Sequence, residues 1–205
     1  MIVDHTIRAL PIDGKMNRFG LKICFSIFFY HLVRDIGLIH RNLLLSKNIR
    51  NKKICYQGEL VFSAACATDF AECMSLMERC GLYAVPWLQK VFKKRMPELC
   101  GIVKNEKGKI IACDLFMFQE VEYEQQIIHE IYLAVDPEYR GRGISTKLRR
   151  YSLESYDHGS LKAVSTLAGF DDIKALRSAQ HCGFSIEKSS AKPPAFYLIK
   201  YLTSR

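Results

Sequence analysis

The stretch V-D-P-E-Y-R-G-R-G-I-S-T, residues 135–146, places two glycines and two arginines between an apolar run and a helix-like run. The apolar run is I-I-H-E-I-Y-L-A-V, and the helix-like run is K-L-R-R-Y-S-L-E-S-Y. The first amide groups of a helix have no partners inside the helix, and the helix dipole adds partial positive charge there. Glycine also lets an anion approach the backbone without a Cβ in the way. The stretch therefore predicts a strand, a turn that binds a diphosphate, and a helix.

Two common glycine motifs do not describe this turn. A P-loop requires G-K-[ST] after its four variable residues, and this triplet is absent from the stretch. The dinucleotide motif G-x-G-x-x-G requires a third glycine where Thr146 stands. Arg140, Arg142 and Lys147 add positive charge nearby, so the turn is predicted to be an anion site of another kind.

Strand and helix patterns alternate on both sides of the turn. Before it come a strand at residues 60–65, two helices that begin near Thr68 and Pro86, and strands near 99–104, 110–118 and 127–135. After the helix that follows the turn come a strand, a helix stopped by Gly183, and two more strands. This order predicts an α/β domain with a mixed sheet.

Composition and cysteine usage restrict the class of protein. A hydrophobic content of 49% and a charged content of 25% are typical of a folded globular protein. The eight cysteines form no C-x-x-C pair and no zinc-binding spacing with histidine. They predict reduced thiols in a cytoplasmic protein, with neither a disulfide framework nor a metal site.

The N-terminal quarter carries most of the excess positive charge. Ten Lys/Arg and three Asp/Glu give residues 1–58 a charge of +7, out of +9 for the whole chain. Residues 1–55 mix leucines and aromatics with Lys and Arg, which predicts an extension of one or two amphipathic helices. Its apolar run at 21–33 is too short to span a membrane. Two interpretations stay open: contact with a membrane surface, or packing on the main domain. A nucleic-acid partner is not expected.

The segment R-G-R-G-I-S resembles the Q/R-x-x-G-x-G/A signature of the GNAT superfamily of N-acetyltransferases. The preceding L-A-V-D-P-E-Y and the later D-D-I-K-A-L-R-S-A-Q-H-C-G-F resemble the motifs that flank it in that family. The resemblance covers residues 59–201. It implies an acyltransferase domain over 59–205, with a mixed, mostly antiparallel sheet flanked by helices, preceded by the basic helical extension 1–55.

The resemblance also implies how the co-substrate binds. Leu133 and Val135 would pair through their backbone with the pantetheine arm of acetyl-CoA. The pyrophosphate would bind the amides of Arg140, Gly141, Arg142, Gly143, Ile144 and Ser145, with Thr146 beside them. Ser145 stands where the family has Gly or Ala, but its side chain is small enough to fit.

Acetyl transfer to an ammonium group needs a general base, because the nitrogen must lose a proton before it attacks the thioester. The resemblance places His129 where relatives have a Glu or a His, and an imidazole suits this role near neutral pH. Strand alternation predicts that His129 shares a face with Leu133 and Val135, and that Glu130 points to the other face. Glu130 is the alternative base. His129 has a structural interpretation too, as a hydrogen-bonded histidine inside the sheet.

Three further positions bear on the site. Ala179 stands where the family often has a tyrosine that acts as the general acid, so no acid is assigned, although Ser178 is adjacent. Asp172 stands where the family has Asn and is predicted to cap a helix. Asp114 lies inside an apolar strand and is predicted to face either the acceptor or solvent.

These observations predict an acetyl-CoA-dependent N-acetyltransferase that acts on a small-molecule primary amine by direct transfer and needs no metal. The expected acceptor is an amino sugar or another precursor of a surface polymer. The expected location is cytoplasmic, with residues 1–55 as a candidate for peripheral contact with the inner face of the membrane. The alternatives are a protein or peptide N-acetyltransferase, a longer acyl donor, and a module that binds acyl-CoA without turnover.

Overall fold

The structure is a computed structural model that describes residues 18–50, 52–157 and 160–203, so residues 1–17 of the predicted extension lie outside the described part. Its helices are α1 (Arg18–Leu45), α2 (Phe70–Arg79), α3 (Pro86–Leu99), α4 (Ile144–Tyr156) and α5 (Ile173–His181). Its strands are β1 (Cys55–Gln57), β2 (Leu60–Ala64), β3 (Cys100–Lys104), β4 (Ile110–Met117), β5 (Ile127–Val135), β6 (Ala163–Gly169), β7 (Ser185–Ala191) and β8 (Pro194–Tyr201).

The strands form one sheet in the order β1-β2-β3-β4-β5-β6-β8-β7. The β5–β6 pair is parallel and the other pairs are antiparallel, which confirms the predicted mixed, mostly antiparallel sheet flanked by helices. The short strand β1 was not predicted. It has only three residues, which is too short to show an alternating pattern. A turn at Gly58 (φ 62°) connects it to β2.

Both faces of the sheet are covered near its centre. Alternate residues of β4 point to opposite faces, so Ala112 and Cys113 belong to different cores. Ala112 packs in a small core with Ile144 and Leu148 of α4. Cys113 belongs to a larger core that includes Leu76 of α2. Helices therefore pack on both faces of β3, β4 and β5, and the predicted anion turn joins β5 to α4.

The C-terminal part of α1 packs on this domain. The Asn42 amide donates to the Phe118 carbonyl over 3.0 Å and accepts from the Phe118 N–H over 2.7 Å, which satisfies backbone groups just beyond the end of β4. Leu38 and Leu45 pack against the larger core. The Arg41 guanidinium lies 4.0 Å from the centre of the Tyr123 ring. One face of α1 is therefore part of the domain's packing.

Asp114 does not face solvent, so that one of its two predicted orientations is wrong. Alternation on β4 turns its fully buried side chain towards α4, where Oδ1 accepts from the Ser152 hydroxyl (3.1 Å) and the Gly101 N–H (3.2 Å). Burial raises the pKa of Asp114 to about 7, although the positive charge of Lys52 opposes this rise. The carboxyl is held by the fold and belongs to the packing of α4.

The raised pKa of Asp114 gives stability a defined pH dependence. The folded state holds a proton that the unfolded chain releases, so this contribution is complete below the ordinary pKa of 3.8 and is lost as pH rises to about 7. Between these two pH values we expect the free energy of unfolding of the wild type to fall more steeply with rising pH than that of Asp114→Asn. The difference between the two slopes is at most about 1.4 kcal/mol per pH unit. Urea denaturation at several pH values measures both slopes. Identical slopes would contradict the assignment.

Gly101 is required where β3 passes under α4. A Cβ at this position would lie 2.7 Å from Oδ1 of Asp114, 2.8 Å from Oγ of Ser152 and 3.3 Å from Cδ1 of Leu148. We expect Gly101→Ala to lower the free energy of unfolding by about 1–3 kcal/mol, because the buried neighbours must shift. The control is Gly37→Ala in α1, where nothing lies within 4 Å of the added carbon. Equal denaturation midpoints for the two variants would contradict this.

Candidate functional site

Asp136 anchors the turn that follows β5. Its carboxylate accepts from the Glu138 N–H (3.2 Å) and pairs with Lys109 (3.1 Å) and Arg79 (3.4 Å). Burial opposes the charge of Asp136, but the hydrogen bonds from Lys109 and the Glu138 amide outweigh it and hold its pKa below the ordinary value. The start of the turn is therefore tied to α2 and to the β3–β4 hairpin.

The glycines of the turn have the backbone conformation that only glycine adopts readily. Gly141 has φ 78° and Gly143 has φ 72°, both in the left-handed region. Gly143 precedes α4 as its N-cap, and the Lys147 N–H donates to the Gly143 carbonyl over 3.1 Å. The amides of residues 143–146 therefore have no partner within the helix. A Cβ on either glycine would meet nothing within 4 Å, so open space lies beside these amides.

Three exposed cations surround this space. Arg140 donates through Nε to the Val135 carbonyl (3.1 Å). Arg142 donates to the Glu138 carbonyl (3.3 Å) and stacks on a tyrosine of the turn, with its guanidinium 5.0 Å from the ring centre. Lys147 is exposed on the first turn of α4. Together with the helix dipole, these charges make the turn a site for a multiply charged anion such as a diphosphate.

A cleft leads away from the turn because β5 and β6 separate. They pair only from Ile127 with Ala163 to Glu130 with Thr166, and β5 then continues to Val135 paired with β4 on its other side only. A cavity of about 640 Å³ lies beside this part of β5 and extends to α5. It contacts eight of the nine residues predicted to bind the co-substrate: Leu133, Val135, Arg140, Gly141, Gly143, Ile144, Ser145 and Thr146. Arg142 borders a neighbouring cavity with Lys147 instead.

A β-bulge in β5 changes which residues share a face. Tyr132 pairs with Leu115 and Glu130 pairs with Phe116, so one residue of β5, Ile131, is left without a partner. As a result Glu130 and Val135 point to the same face of the sheet, the one that α4 covers. His129 points to the opposite face. The predicted grouping of His129 with Leu133 and Val135 is therefore wrong, because simple alternation does not hold across a bulge.

Glu130 is held in a buried ion pair. Both of its oxygens accept from Arg149 of α4, over 2.9–3.0 Å, and both side chains are buried. Arg149 also donates to the Ser178 hydroxyl (2.9 Å), which lies 3.3 Å from the hydroxyls of Ser145 and Thr146. This polar chain links β5, α4 and α5 along the wall of the cleft.

His129 lies in a second polar cluster, on the other face. Its Nδ1 is 2.7 Å from the Ser165 hydroxyl and 3.4 Å from Oε1 of Glu122. Oε1 of Glu122 also accepts from Ser165 (2.6 Å) and from the Tyr197 hydroxyl (2.7 Å). Burial opposes the charge of Glu122, but its contact with His129 and the hydrogen bonds from Ser165 and Tyr197 outweigh it and hold its pKa below the ordinary value. Burial and the bond to Glu122 raise the pKa of Tyr197.

His129 borders a second cavity, of about 540 Å³. Ile127 of β5, Leu167 of β6 and Tyr197 of β8 form part of its wall, and residues of β7 close it on one side. β5 therefore contacts both cavities, the first through residues 133–135 and the second through residues 127 and 129.

The remaining predicted positions fall near the first cavity. Ala179 is fully buried in the core, so no hydroxyl occupies the position where the family often has tyrosine. Ser178, beside it, borders the cavity. Asp172 accepts from the Ala175 N–H (2.9 Å) at the start of α5, which confirms the predicted helix cap.

The described residues contain neither a group of metal ligands nor a helix that could span a membrane. Over residues 18–50, 52–157 and 160–203, no three His, Cys, Asp or Glu side chains are grouped so that they could hold a metal ion. Within the same residues, no helix has the length and apolar character needed to cross a membrane.

Comparison with known proteins identifies the relatives of this chain. A profile of the acetyltransferase (GNAT) family matches residues 66–184, more than half of the chain. No curated protein sequence matches it. The matched region includes the anion turn, His129, Glu130 and Ser165.

Solved structures share its fold at low sequence identity. A chain of the NatC complex bound to Gag peptide and CoA superposes with a TM-score of 0.60 and 22% identity, over 71% of this chain and 99% of that one. Ard1 from Thermoplasma volcanium gives 0.59 and 15%, over 71% and 99%. Spermidine/spermine N-acetyltransferase from Vibrio cholerae gives 0.58 and 14%, over 71% and 95%.

Proposed function

Because the chain belongs to the acetyltransferase (GNAT) family, we propose that it transfers an acetyl group from acetyl-CoA directly to a primary amine. The observation that carries the proposal is the turn between β5 and α4. Its free amides at residues 143–146 open into the cleft where β5 and β6 separate. An elongated molecule with a diphosphate fits a site that has an anion-binding end and a long adjoining cleft.

The residues of the turn would hold the diphosphate of acetyl-CoA. Gly141 and Gly143 leave room for its oxygens beside the amides, and Arg140 and Lys147 supply charge. Leu133 and Val135 lie on the stretch of β5 that β6 leaves unpaired, where backbone groups would pair with the pantetheine arm. The Val135 carbonyl accepts from Arg140, so this arginine would turn away from it when the arm binds.

His129 is the better of the two candidate bases. Both oxygens of Glu130 are occupied by Arg149, so Glu130 would have to leave a buried ion pair before it could accept a proton. His129 borders the second cavity. The acceptor amine would bind in that cavity and give its proton to His129.

We propose a polar small-molecule amine as the acceptor, with amino sugars and other precursors of surface polymers as the first candidates. The second cavity combines Glu187, Lys188 and Lys192 with the rings of Tyr197 and Tyr201, which suits a ligand with several hydroxyl groups. Peptides are the alternative acceptor class, since one structural relative was solved with a peptide.

A screen of acceptors tests the function. CoA release from acetyl-CoA would be measured with amino sugars, polyamines, and peptides that have a free N-terminus or a lysine. We expect turnover with at least one class, and the preferred class identifies the acceptor. Tight binding of acetyl-CoA without turnover on any amine would contradict the proposed acetyltransferase activity and would support a module that binds acyl-CoA without turnover.

We further propose that the protein is cytoplasmic and that its N-terminal segment contacts anionic membranes. Each of the seven cysteines with a described side chain is a free thiol. The side of α1 turned away from the domain exposes Leu32, Val33, Ile36 and Leu44, and residues 1–58 carry a charge of +7.

Because α1 also packs on the domain, the test uses Val33→Glu with Ile36→Glu rather than a truncation. We expect the whole chain, and not this variant, to sediment with anionic vesicles at low salt. Equal sedimentation would contradict the contact.

A further inference from the structure

We propose that Ser165 and Glu122 are positioning residues that keep a proton on Nδ1 of His129, so that Nε2 accepts the proton of the acceptor amine. The catalytic part of this inference rests on the proposed function. The hydrogen-bond arrangement itself stands on the geometry of the buried cluster.

The direction of the hydrogen bonds follows from what each group can donate. An ionised carboxylate only accepts, so the Ser165 hydroxyl donates its single proton to Oε1 of Glu122, at 2.6 Å. Its oxygen can then only accept from Nδ1 of His129, at 2.7 Å. The proton of the neutral imidazole is therefore on Nδ1, and the lone pair is on Nε2.

The backbone fixes the three members of this cluster in place. Ser165 of β6 pairs directly with His129 of β5 through the parallel strand contact. Glu122 lies in the turn before β5, where its N–H donates to the Gln119 carbonyl (3.2 Å) and its carbonyl accepts from the Ile127 N–H (3.2 Å). His129, Ser165 and Glu122 are all buried. Their separations are therefore set by the sheet and the turn rather than by flexible side chains.

Glu122 also supplies the charge that the reaction requires. When the amine nitrogen bonds to the acetyl carbon, its proton passes to Nε2 and the electrons of the C–S bond leave with the sulfur of CoA. The proton then passes from Nε2 to that sulfur or to water. In between, His129 is a buried cation, which is costly without a nearby anion. Glu122 is that anion, and Ser165 and Tyr197 stabilise its ionised form.

Other ionisable groups reach the same cavity from β7, β8 and the turn between them. The ammonium of Lys188 lies 4.7 Å from the centre of the Tyr197 ring. The set comprises Glu187, Lys188, Lys192, Tyr197 and Tyr201. Within the described residues, Glu122 is the carboxylate that the structure pairs with His129.

The tautomer can be measured without any substrate. Long-range ¹H–¹⁵N spectra of the full chain, labelled at histidine, distinguish a proton on Nδ1 from one on Nε2, and His129→Gln identifies the signals. We expect the Nδ1–H form in the wild type, and a mixture of both forms in Ser165→Ala and in Glu122→Gln. A wild-type His129 protonated on Nε2 would overturn the inference, even if the variants did not fold.

The steady-state kinetics of acetyl transfer test the role in the reaction, with an acceptor found in the screen. We expect Glu122→Gln to lower kcat about 10- to 100-fold, part of the roughly 10²- to 10⁴-fold that a general base contributes, with KM for acetyl-CoA unchanged. Glu124→Gln is the matched control, since this exposed carboxylate lies two residues away.

A wild-type kcat in Glu122→Gln would overturn the positioning role and leave the proposed function intact. An absence of turnover on every amine, together with an Nδ1–H tautomer, would contradict the proposed function and leave the hydrogen-bond arrangement supported.

Discussion

Gly143→Val is expected to lower the affinity for acetyl-CoA at least about 100-fold, which corresponds to roughly 2.7 kcal/mol of binding free energy. Gly143 has φ 72°, a conformation that is strained for a β-branched residue, so the turn would relax away from its present shape. The added side chain would also occupy the open space beside the amides of residues 143–146. Isothermal titration calorimetry measures the affinity, and circular dichroism shows whether the variant is folded.

The matched control for this prediction is Gly108→Val. Gly108 has φ 75°, and nothing lies within 4 Å of a Cβ at this position, so the local strain is of the same kind. It lies in the turn between β3 and β4, outside the residues that line the first cavity. We expect this variant to bind acetyl-CoA as the wild type does. Equal affinities of the two valine variants would mean that the β5–α4 turn does not bind the diphosphate.

His129→Gln is expected to lower kcat by roughly 10²- to 10⁴-fold, the range that a general base contributes. Glutamine still offers an amide to Ser165, so the local structure is retained, but it cannot accept a proton near neutral pH. The residue lies on the opposite face from α4, so the affinity for acetyl-CoA is expected to stay unchanged. Single-turnover kinetics with the acceptor found in the screen measures the chemical step.

Two further variants isolate the role of this histidine. His40→Gln makes the same change at an exposed position of α1 and is expected to have no effect. The pair Glu130→Gln with Arg149→Met removes the alternative base without leaving Arg149 as an unpaired buried charge. If this pair lost the chemical step while His129→Gln retained it, Glu130 would be the base and the assignment made here would be wrong.

The sequence is most informative where a feature is built from neighbouring residues. The anion turn and the first turn of α4 lie within twelve consecutive residues, so the glycines, the cations and the helix start are visible together. The resemblance to the family added the co-substrate and the mostly antiparallel character of the sheet. Strand order could not be derived, because nothing in β7 or β8 shows that β8 lies between β6 and β7.

Features assembled from distant segments were not visible. The bulge at Ile131 depends on how β5 pairs with β4, and it reverses the expected face of Glu130. Glu122 lies in the acidic segment E-V-E-Y-E at residues 120–124, and only the turn before β5 and the parallel contact with β6 bring it to His129 and Ser165. Its one local signal was an acidic residue placed shortly before a strand that contains a histidine, which is too common to interpret.

The most direct test of the central claim is a crystal structure of the full chain with CoA. The diphosphate is expected within hydrogen-bond distance of the amides of residues 143–146, with the pantetheine arm along Leu133 and Val135 between β5 and β6. A diphosphate bound anywhere else on the molecule, with the β5–α4 turn empty, would contradict it.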